Sequence, residues 1–367
     1  MNDERYMASA IELAALGCGF VNPNPMVGAV IVKDGKIIGR GYHKKYGEAH
    51  AKRNAISDAA SPLEGAAIYV TLEPCCNHGK TPPCTDAIIE SGISRVVVGA
   101  PDPNPLVSGK GIEILRRNGI EVTAGVLEKE CRELNEVFFH YIITNTPYVV
   151  MKYAMTMDGK TAAYTGISKW ITGEAARRKV HEDRRRYSAV MVGVGTVIKD
   201  DPLLTCRIEN GRDPVRIVCD TRLRTPACSQ IVKTAKDVPT IIATSCTDAD
   251  KHNIYVRENC SVVVVSEKNG RLDLKELMLK IGKEKIDSVL LEGGSELNWS
   301  AMESGVVNKV QAYISPKVLG GAGAVTHVGG AGAGSPDSAF FLSNSKINVI
   351  GEDILIESEV RQKCSPE

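Results

Sequence analysis

Apolar positions in the first third of the chain follow two different periods. From Met7 to Leu16 they recur at helical spacing. Val27-Gly28-Ala29-Val30-Ile31-Val32 is instead an unbroken apolar run, which predicts a buried strand. Asp34-Gly35 is a hairpin turn signal, and Ile37-Ile38-Gly39-Arg40-Gly41 predicts the returning strand. A helix is expected from near His50 to Ala60. Ala67-Ile68-Tyr69-Val70-Thr71-Leu72 predicts a buried strand, Thr85 to Ser91 a helix, and Arg95-Val96-Val97-Val98-Gly99-Ala100 a further strand. This order of helix and strand signals argues for an α/β layer with a mostly buried sheet.

Thr144-Asn145-Thr146-Pro147 marks a domain boundary, and a new α/β series opens at Tyr148-Val149-Val150-Met151-Lys152. Its further strands are expected at Ala189 to Val192, Val215 to Cys219, Thr240 to Ala243, Val262 to Val265 and Ser288 to Leu291. No internal repeat is visible. Gly320 to Gly334 is low in complexity and reads as a mobile surface loop, because no helix follows at the spacing of a dinucleotide fold.

Composition narrows the class. The 367 residues suit two domains. Lys and Arg number 45 against 44 acidic residues, a net charge of +1, so no global field recruits nucleic acid or an anionic membrane. The 11 Cys are odd in number and scattered, unlike a disulfide scaffold. Most read as small core residues in a reducing compartment. Met1-Asn2-Asp3-Glu4-Arg5 opens an amphipathic pattern rather than a signal peptide. Val318 to Pro336, the longest uncharged run, is too rich in glycine to span a bilayer. These features predict a soluble, cytoplasmic protein.

Chemistry concentrates in two places. In the first, His50 stands at an expected helix start, Cys75 follows Pro74 past a strand end, and Cys84 follows Pro82-Pro83 at the next helix start. One imidazole and two thiolates can hold zinc and leave a fourth position to water. Cys76 is a bystander, since its neighbour position points it elsewhere. The general zinc-deaminase signature places two residues between its Cys and an acidic proton carrier two places after its His. This chain has eight residues between Cys75 and Cys84, and Lys52 at the acidic position. In the second place, Gly193-Val194-Gly195-Thr196 and Gly293-Gly294-Ser295 each follow an expected strand. Bare glycine backbone at a helix start suits a pyrophosphate, although tight turns use the same residues.

The motifs Asn22-Pro23-Asn24-Pro25-Met26-Val27-Gly28, Gly47-Glu48-Ala49-His50-Ala51, Thr71-Leu72-Glu73-Pro74-Cys75, His78-Gly79-Lys80-Thr81-Pro82-Pro83-Cys84 and Asp102-Pro103-Asn104-Pro105 occur in that order. They are followed by Met157-Asp158-Gly159-Lys160, Ser168-Lys169-Trp170-Ile171-Thr172, Asp200-Asp201-Pro202-Leu203-Leu204-Thr205 and Glu292-Gly293-Gly294-Ser295. Over nearly its whole length the chain resembles the bifunctional riboflavin-biosynthesis deaminase/reductase family.

That resemblance implies a cytidine-deaminase-like three-layer α/β domain over residues 1–145, a dihydrofolate-reductase-like domain over 146–360 and a tail over 361–367. It implies zinc on His50, Cys75 and Cys84. It further implies a small pyrimidine ribosyl phosphate as substrate, with Asn24 and His43 along the pyrimidine and ribose and Lys80 and Thr81 at ribose or phosphate. In the second domain it implies NADPH against Ala154, Trp170, Thr196, Asp200, Thr221 and Gly294. Ser168, Arg184, Leu204, Arg207 and Glu292 then meet substrate, and the two Arg suit a phosphate held in two-point fashion. Arg222 and Arg224 meet the cofactor's 2′-phosphate or form an exposed basic loop. Lys152 and Asp158 order the site. A homo-oligomer is also implied.

The family carries Glu where this chain has Lys52. An ammonium cannot accept a proton, and it is repelled by a nearby metal charge. Glu48 and Glu73 are near in sequence, with no argument from spacing that either replaces the missing carboxylate. Lys52 therefore predicts impaired deamination beside an intact reductase. A zinc domain serving as a structural or assembly module is the competing expectation. A nucleic-acid base deaminase is disfavoured by the near-zero charge and the absence of aromatic-basic clusters.

Overall fold

The structure is a computed structural model that describes residues 2–76, 82–104, 107–321, 324 and 326–361. Lys80, Thr81 and residues 362–367 of the expected tail lie outside the described residues. The chain divides into two compact units, Met1–Asn145 and Thr146–Glu367. No described helix is long and apolar enough to cross a membrane.

The first unit runs α1 (Asn2–Ala15), β1 (Gly28–Lys33), β2 (Lys36–Tyr42), α2 (Ala51–Ser57), β3 (Ala67–Leu72), α3 (Cys84–Glu90), β4 (Arg95–Ala100), α4 (Lys110–Arg117), β5 (Glu121–Ala124), α5 (Glu128–Leu134) and α6 (Glu136–Thr144). Its sheet has the order β2-β1-β3-β4-β5. β1 pairs antiparallel with β2 and β3, while β3, β4 and β5 are parallel. Asp34 (φ 50°) and Gly35 (φ 72°) form the tight turn between β1 and β2. β1, β3 and β4 are buried almost throughout, as a sheet covered on both faces requires. α1 meets α5, and α2, α3 and α4 meet in succession, which makes three layers.

Two glycines let the helices approach the sheet. A Cβ on Gly28 would lie 1.9 Å from the Ala10 carbonyl oxygen of α1. One on Gly41 would lie 2.4 Å from the Ala51 oxygen at the start of α2. Gly41 thus sets how closely His50 and Lys52 are carried to the sheet. α2 stops at Ser57 rather than Ala60, because the Asp58 carboxylate accepts the Arg40 amide and the Ala60 amide bonds the Ile38 carbonyl on β2.

The second unit runs β6 (Tyr148–Thr156), α7 (Glu174–Arg186), β7 (Ala189–Gly193), α8 (Val194–Asp200), β8 (Val215–Cys219), α9 (Gln230–Lys233), β9 (Thr240–Thr244), α10 (Ala249–Arg257) and β10 (Ser261–Val264). The short pair β11 (Glu267–Lys268) and β12 (Arg271–Leu272) follows. Then come α11 (Leu274–Lys283), β13 (Ser288–Leu291), α12 (Ser295–Glu303), β14 (Val307–Ser315), β15 (Leu342–Ile350) and β16 (Asp353–Val360). The main sheet has the order β10-β9-β8-β7-β13-β6-β14-β16-β15. It is parallel from β10 to β14 and antiparallel at β16 and β15. β13 inserts between β6 and β7, so the chain order reverses there. A crevice opens beyond the strand ends at such a point.

The glycine-rich stretch departs from expectation. Gly320–Gly334 holds no helix or strand among its described residues, yet it is more than a surface loop. Ala324 and His327 are buried, and Gly330 sits so close to Trp299 of α12 that a Cβ would lie 2.1 Å from the indole ring. Tyr153 and Trp299 offer the stretch an aromatic bed that its own composition did not announce.

Arg216 on β8 is fully buried, and among the described residues no carboxylate pairs with it. Its nitrogens instead donate to the carbonyls of Leu203 (3.2 Å), Ile231 (2.9 Å) and Val238 (3.0 Å) and the hydroxyls of Thr234 (2.8 Å) and Thr240 (2.7 Å). An apolar side chain there would leave these acceptors without a donor. Arg216→Met should lower the stability of the second unit by about 2–4 kcal/mol. Urea unfolding checks this, and an unchanged midpoint would contradict it.

Candidate functional site

In the first unit the site is assembled from the ends of three elements. His50 caps the N-terminus of α2 in an extended conformation, Cys75 leaves the end of β3, and Cys84 is the first residue of α3. The Cys75 carbonyl accepts the amides of Cys84 (3.1 Å) and Thr85 (3.3 Å), which ties the two sulfur-bearing segments together. His50 Nδ1 lies 3.5 Å from Cys75 Sγ and 3.4 Å from Cys84 Sγ. The three donor atoms all lie within 4.8 Å of one another, and no other such cluster occurs among the described residues. Cys76 is outside it. Two thiols and an imidazole converging at this range are the soft donors zinc takes, with one position left open. The Cys84 thiol, then His50 and Lys52, hold the Cys75 thiol well below its usual range.

Beside these donors is a cavity of about 180 Å³ whose wall includes Asn24, His43, Lys52 and Asp102. His43 is buried. Its Nδ1 faces the Ala49 carbonyl at 3.2 Å, which leaves Nε2 to accept from Asn24 Nδ2 at 3.4 Å. Burial pushes the His43 pKa down, so the ring stays neutral near pH 7. The Asn24 segment is held from α6's border: the Asn135 amide bonds both the amide (2.8 Å) and the carbonyl (2.9 Å) of Met26. Asn135 carried no sequence signal. Asp102 and Asn104, quoted above only as part of a motif, also reach the cavity wall.

Lys52 is 4 % exposed, and its Nζ donates to the Glu73 carbonyl at 3.4 Å. Neither acidic neighbour stands in for a carboxylate at position 52. Glu48 is exposed. Glu73 is buried, and both its oxygens are taken. Oε1 accepts from Gly111 (3.0 Å) and Ile112 (3.3 Å), and Oε2 from Asp102 (3.2 Å) and Gly109 (3.0 Å).

In the second unit a cleft of about 580 Å³ opens at the strand reversal. Ala154, Trp170, Thr196, Asp200 and Gly294 all line it, as do Ser168, Lys152 and Glu292. Thr221 is not on this wall; its carbonyl accepts the Thr244 and Ser245 hydroxyls. Arg222 is paired with Glu267 at 3.0 Å, and Arg224 is exposed. Asp158 is not on the cleft wall; it accepts from the Thr156 hydroxyl (2.6 Å) and from the Leu319 and Gly320 amides (3.1 and 2.7 Å). Lys317 fixes the Trp170 segment through the carbonyls of Trp170 (3.0 Å) and Ile171 (2.7 Å).

The expected phosphate fork of Arg184 is already engaged. Its Nε and Nη2 meet the Glu292 carboxylate at 2.7 and 2.8 Å, and Nη1 meets the Thr205 carbonyl at 3.0 Å. Burial works to raise the Glu292 pKa, but Arg184 and then Lys152 hold it at about 2. Burial lowers the Lys152 pKa and Glu292 opposes that. Leu204 is buried with positive φ (54°), in the core cluster that also holds Val218 and Ile231, and it is not on the cleft wall. Arg207 is exposed, with its guanidinium against the His181 ring at 3.3 Å.

Residues 147–356 match the family model of the RibD C-terminal domain, and residues 1–100 match that of the cytidine and deoxycytidylate deaminase zinc-binding region. The chain is 53 % identical to riboflavin biosynthesis protein RibD of Actinobacillus pleuropneumoniae, over 97 % of this chain and 95 % of that one. It is 44 % identical to the Aquifex aeolicus protein of the same name, over 96 % and 97 %. Among solved structures it is similar to a diaminohydroxyphosphoribosylaminopyrimidine deaminase/5-amino-6-(5-phosphoribosylamino)uracil reductase from Thermotoga maritima. That similarity has a TM-score of 0.86 and 40 % identity, and covers 98 % of this chain and 99 % of that one. Acinetobacter baumannii RibD gives a TM-score of 0.88 at 35 % identity over the same shares.

A cation at position 52 acts on the sulfur and imidazole donors through a medium with little water. Lys52→Met should tighten zinc binding by about tenfold, and Lys52→Glu by more. Competition with a chelating dye reads this, and equal affinities in all three proteins would contradict it.

Proposed function

The chain belongs to the RibD family of bifunctional riboflavin-biosynthesis enzymes, and we propose on that basis that its two halves differ in competence. The second unit works as an NADPH-dependent reductase. The first binds zinc and its pyrimidine, 2,5-diamino-6-ribosylamino-4(3H)-pyrimidinone 5′-phosphate, but deaminates it slowly. The observation that carries the second claim is the Lys52 ammonium, buried at the cavity and bonded to the Glu73 carbonyl.

His50, Cys75 and Cys84 would hold zinc, which would supply a Lewis acid for activating water. The chain itself must supply a proton acceptor and return that proton to the ring and the departing amine. Lys52 cannot accept one while charged, and Glu73 has no free lone-pair direction toward the cavity once four amides are bound. Asn24 and His43 remain arranged to hold a pyrimidine edge. Binding therefore survives where proton transfer fails.

In the reductase unit the cleft would hold NADPH, which would supply the hydride for reducing the ribosyl group to ribityl. Gly294 and Thr196 line the path of the dinucleotide, with Ala154, Trp170 and Asp200 along it. Arg184 acts through Glu292 and Thr205, holding the substrate wall rather than gripping phosphate itself. Arg207, with its exposed guanidinium, is the better candidate for the phosphate. Lys152 stands beside Glu292 as the group able to give a proton to the sugar oxygen.

A second reading has support from the same lysine: the zinc domain serves chiefly as a folded support for the reductase. Stripping zinc with a chelator separates the two. Loss of reductase activity on stripping favours the support role.

Ammonia release should be about 10²–10⁴-fold slower in this chain than in its Lys52→Glu variant. Equal, fast release in both would overturn the impairment. NADPH oxidation with the deaminated substrate should be the same in both proteins. A folded chain without that turnover would refute the reductase claim.

A further inference from the structure

The second cleft holds a buried polar side chain whose ring nitrogens have no hydrogen-bond partner among the described residues. His327 lies in the glycine-rich stretch, is 8 % exposed, and forms part of the cleft wall. Its ring stacks on Tyr153 of β6, with centroids 4.4 Å apart and planes 15° from parallel. Its carbonyl accepts from Asn298 Nδ2 of α12 at 3.0 Å, so the backbone is anchored. Neither Nδ1 nor Nε2 has a hydrogen-bond partner, and the Asn298 Oδ1 beside it is unpaired as well. Burying such groups unpaired is unfavourable, and an imidazole held this firmly by stacking and anchoring is not free to turn away. Burial, reinforced by Lys152, pushes the His327 pKa down to about 4. The ring near pH 7 is therefore neutral, with one N–H donor and one acceptor nitrogen.

Its position selects the ligand. Tyr153 of β6, Leu297 of α12 and Val328 all pack against one and the same hydrophobic cluster of the second unit. His327, stacked on Tyr153, is therefore on the α12 side of β6. The expected substrate groups Arg184 and Glu292 are tied to α7 and to the 204–205 turn. The α12 side instead presents Gly293-Gly294 and the start of a nine-residue helix, where a diphosphate is drawn by free amides. Asn298 adjoins this turn, its side-chain nitrogen 3.7 Å from where a Cβ on Gly293 would sit.

We propose that His327 is a further cofactor-binding residue: its ring N–H donates to an oxygen of the dinucleotide's ribose–diphosphate backbone beside Gly293-Gly294. Tyr153 sets the plane of the ring and Asn298 sets its depth. The inference rests on the reading of this cleft as the NADPH site.

The test uses the full chain and two variants. His327→Phe keeps the stack on Tyr153 and removes both nitrogens; His327→Asn restores a donor. NADPH binding is followed by fluorescence titration, and substrate KM is measured at saturating NADPH. His327→Phe should weaken NADPH about tenfold, leave substrate KM within about twofold and leave the thermal midpoint in place. His327→Asn should recover part of the loss. 2′-Phospho-ADP-ribose, which lacks the nicotinamide, should weaken by the same factor. A loss confined to NADPH would place the contact at the nicotinamide and overturn the assignment. So would an unchanged NADPH affinity, or a rise in substrate KM alone. A wild-type chain that fails to bind NADPH at all would sink the reading of the cleft, and this inference with it.

Discussion

The first unit's site depends on one buried carboxylate. Glu73 leaves the end of β3 and collects four backbone amides, from Asp102, Gly109, Gly111 and Ile112. Those amides belong to the loop after β4 and to the first turn of α4, where a negative charge is favoured. One side chain therefore fixes the spacing between two strand exits. Asp102 and Asn104 are placed on the cavity wall by it, and Cys75 follows two residues later. Gly111 shows how tight this is: a Cβ there would lie 2.1 Å from the Pro74 carbonyl oxygen. A carboxylate so fully bound is a structural anchor, and its nearness in sequence to the metal ligands says nothing about proton transfer.

The second unit meets the same constraint with guanidinium groups. Arg184 is spent on Glu292 and the Thr205 carbonyl, and Arg216 on carbonyls and hydroxyls that include Leu203. Both clamp the 203–205 turn, where Leu204 takes positive φ. Residue type alone suggested a phosphate grip for Arg184, because a guanidinium fork looks the same whether it meets a ligand or an internal carboxylate. The two expected guanidiniums differ in burial. The Arg184 side chain is 11 % exposed and paired, whereas Arg207 keeps its guanidinium at the surface.

Much of the strand framework was legible because parallel strands buried on both faces read as unbroken apolar runs. β3, β4, β8 and β13 match the expected runs residue for residue. The antiparallel end of the second sheet was not legible. β15 is exposed along most of its length and polar in Ser343-Asn344-Ser345-Lys346, so no buried run marks it. The convergence of His50, Cys75 and Cys84 was foreshadowed by element boundaries, since Pro74 and Pro83 punctuate the chain where β3 ends and α3 begins. Asn135 and His327 were invisible for a different reason. Each acts through a partner more than a hundred residues away, Met26 for one and Tyr153 for the other, and no local pattern encodes such a meeting.

Lys52 shows how far fold and chemistry separate at one position. The features that bring α2 to the sheet are the bare backbone of Gly41 and the packing of Ala51 and Ala55, and none of them involves the side chain at 52. The ammonium finds the Glu73 carbonyl, a group that the carboxylate's own amide bonds hold in place. Lys52 is thus held by a backbone group already in place, through one long hydrogen bond in a buried setting. Its placement bears on the electrostatics of the cavity: a lysine lines the same wall as His50 and Cys75, where its charge would oppose that of a metal cation. The state of this residue therefore reports on the chemistry of the first unit alone, while the second unit's cleft, built from Glu292, Arg184 and the glycine turn, is composed without it.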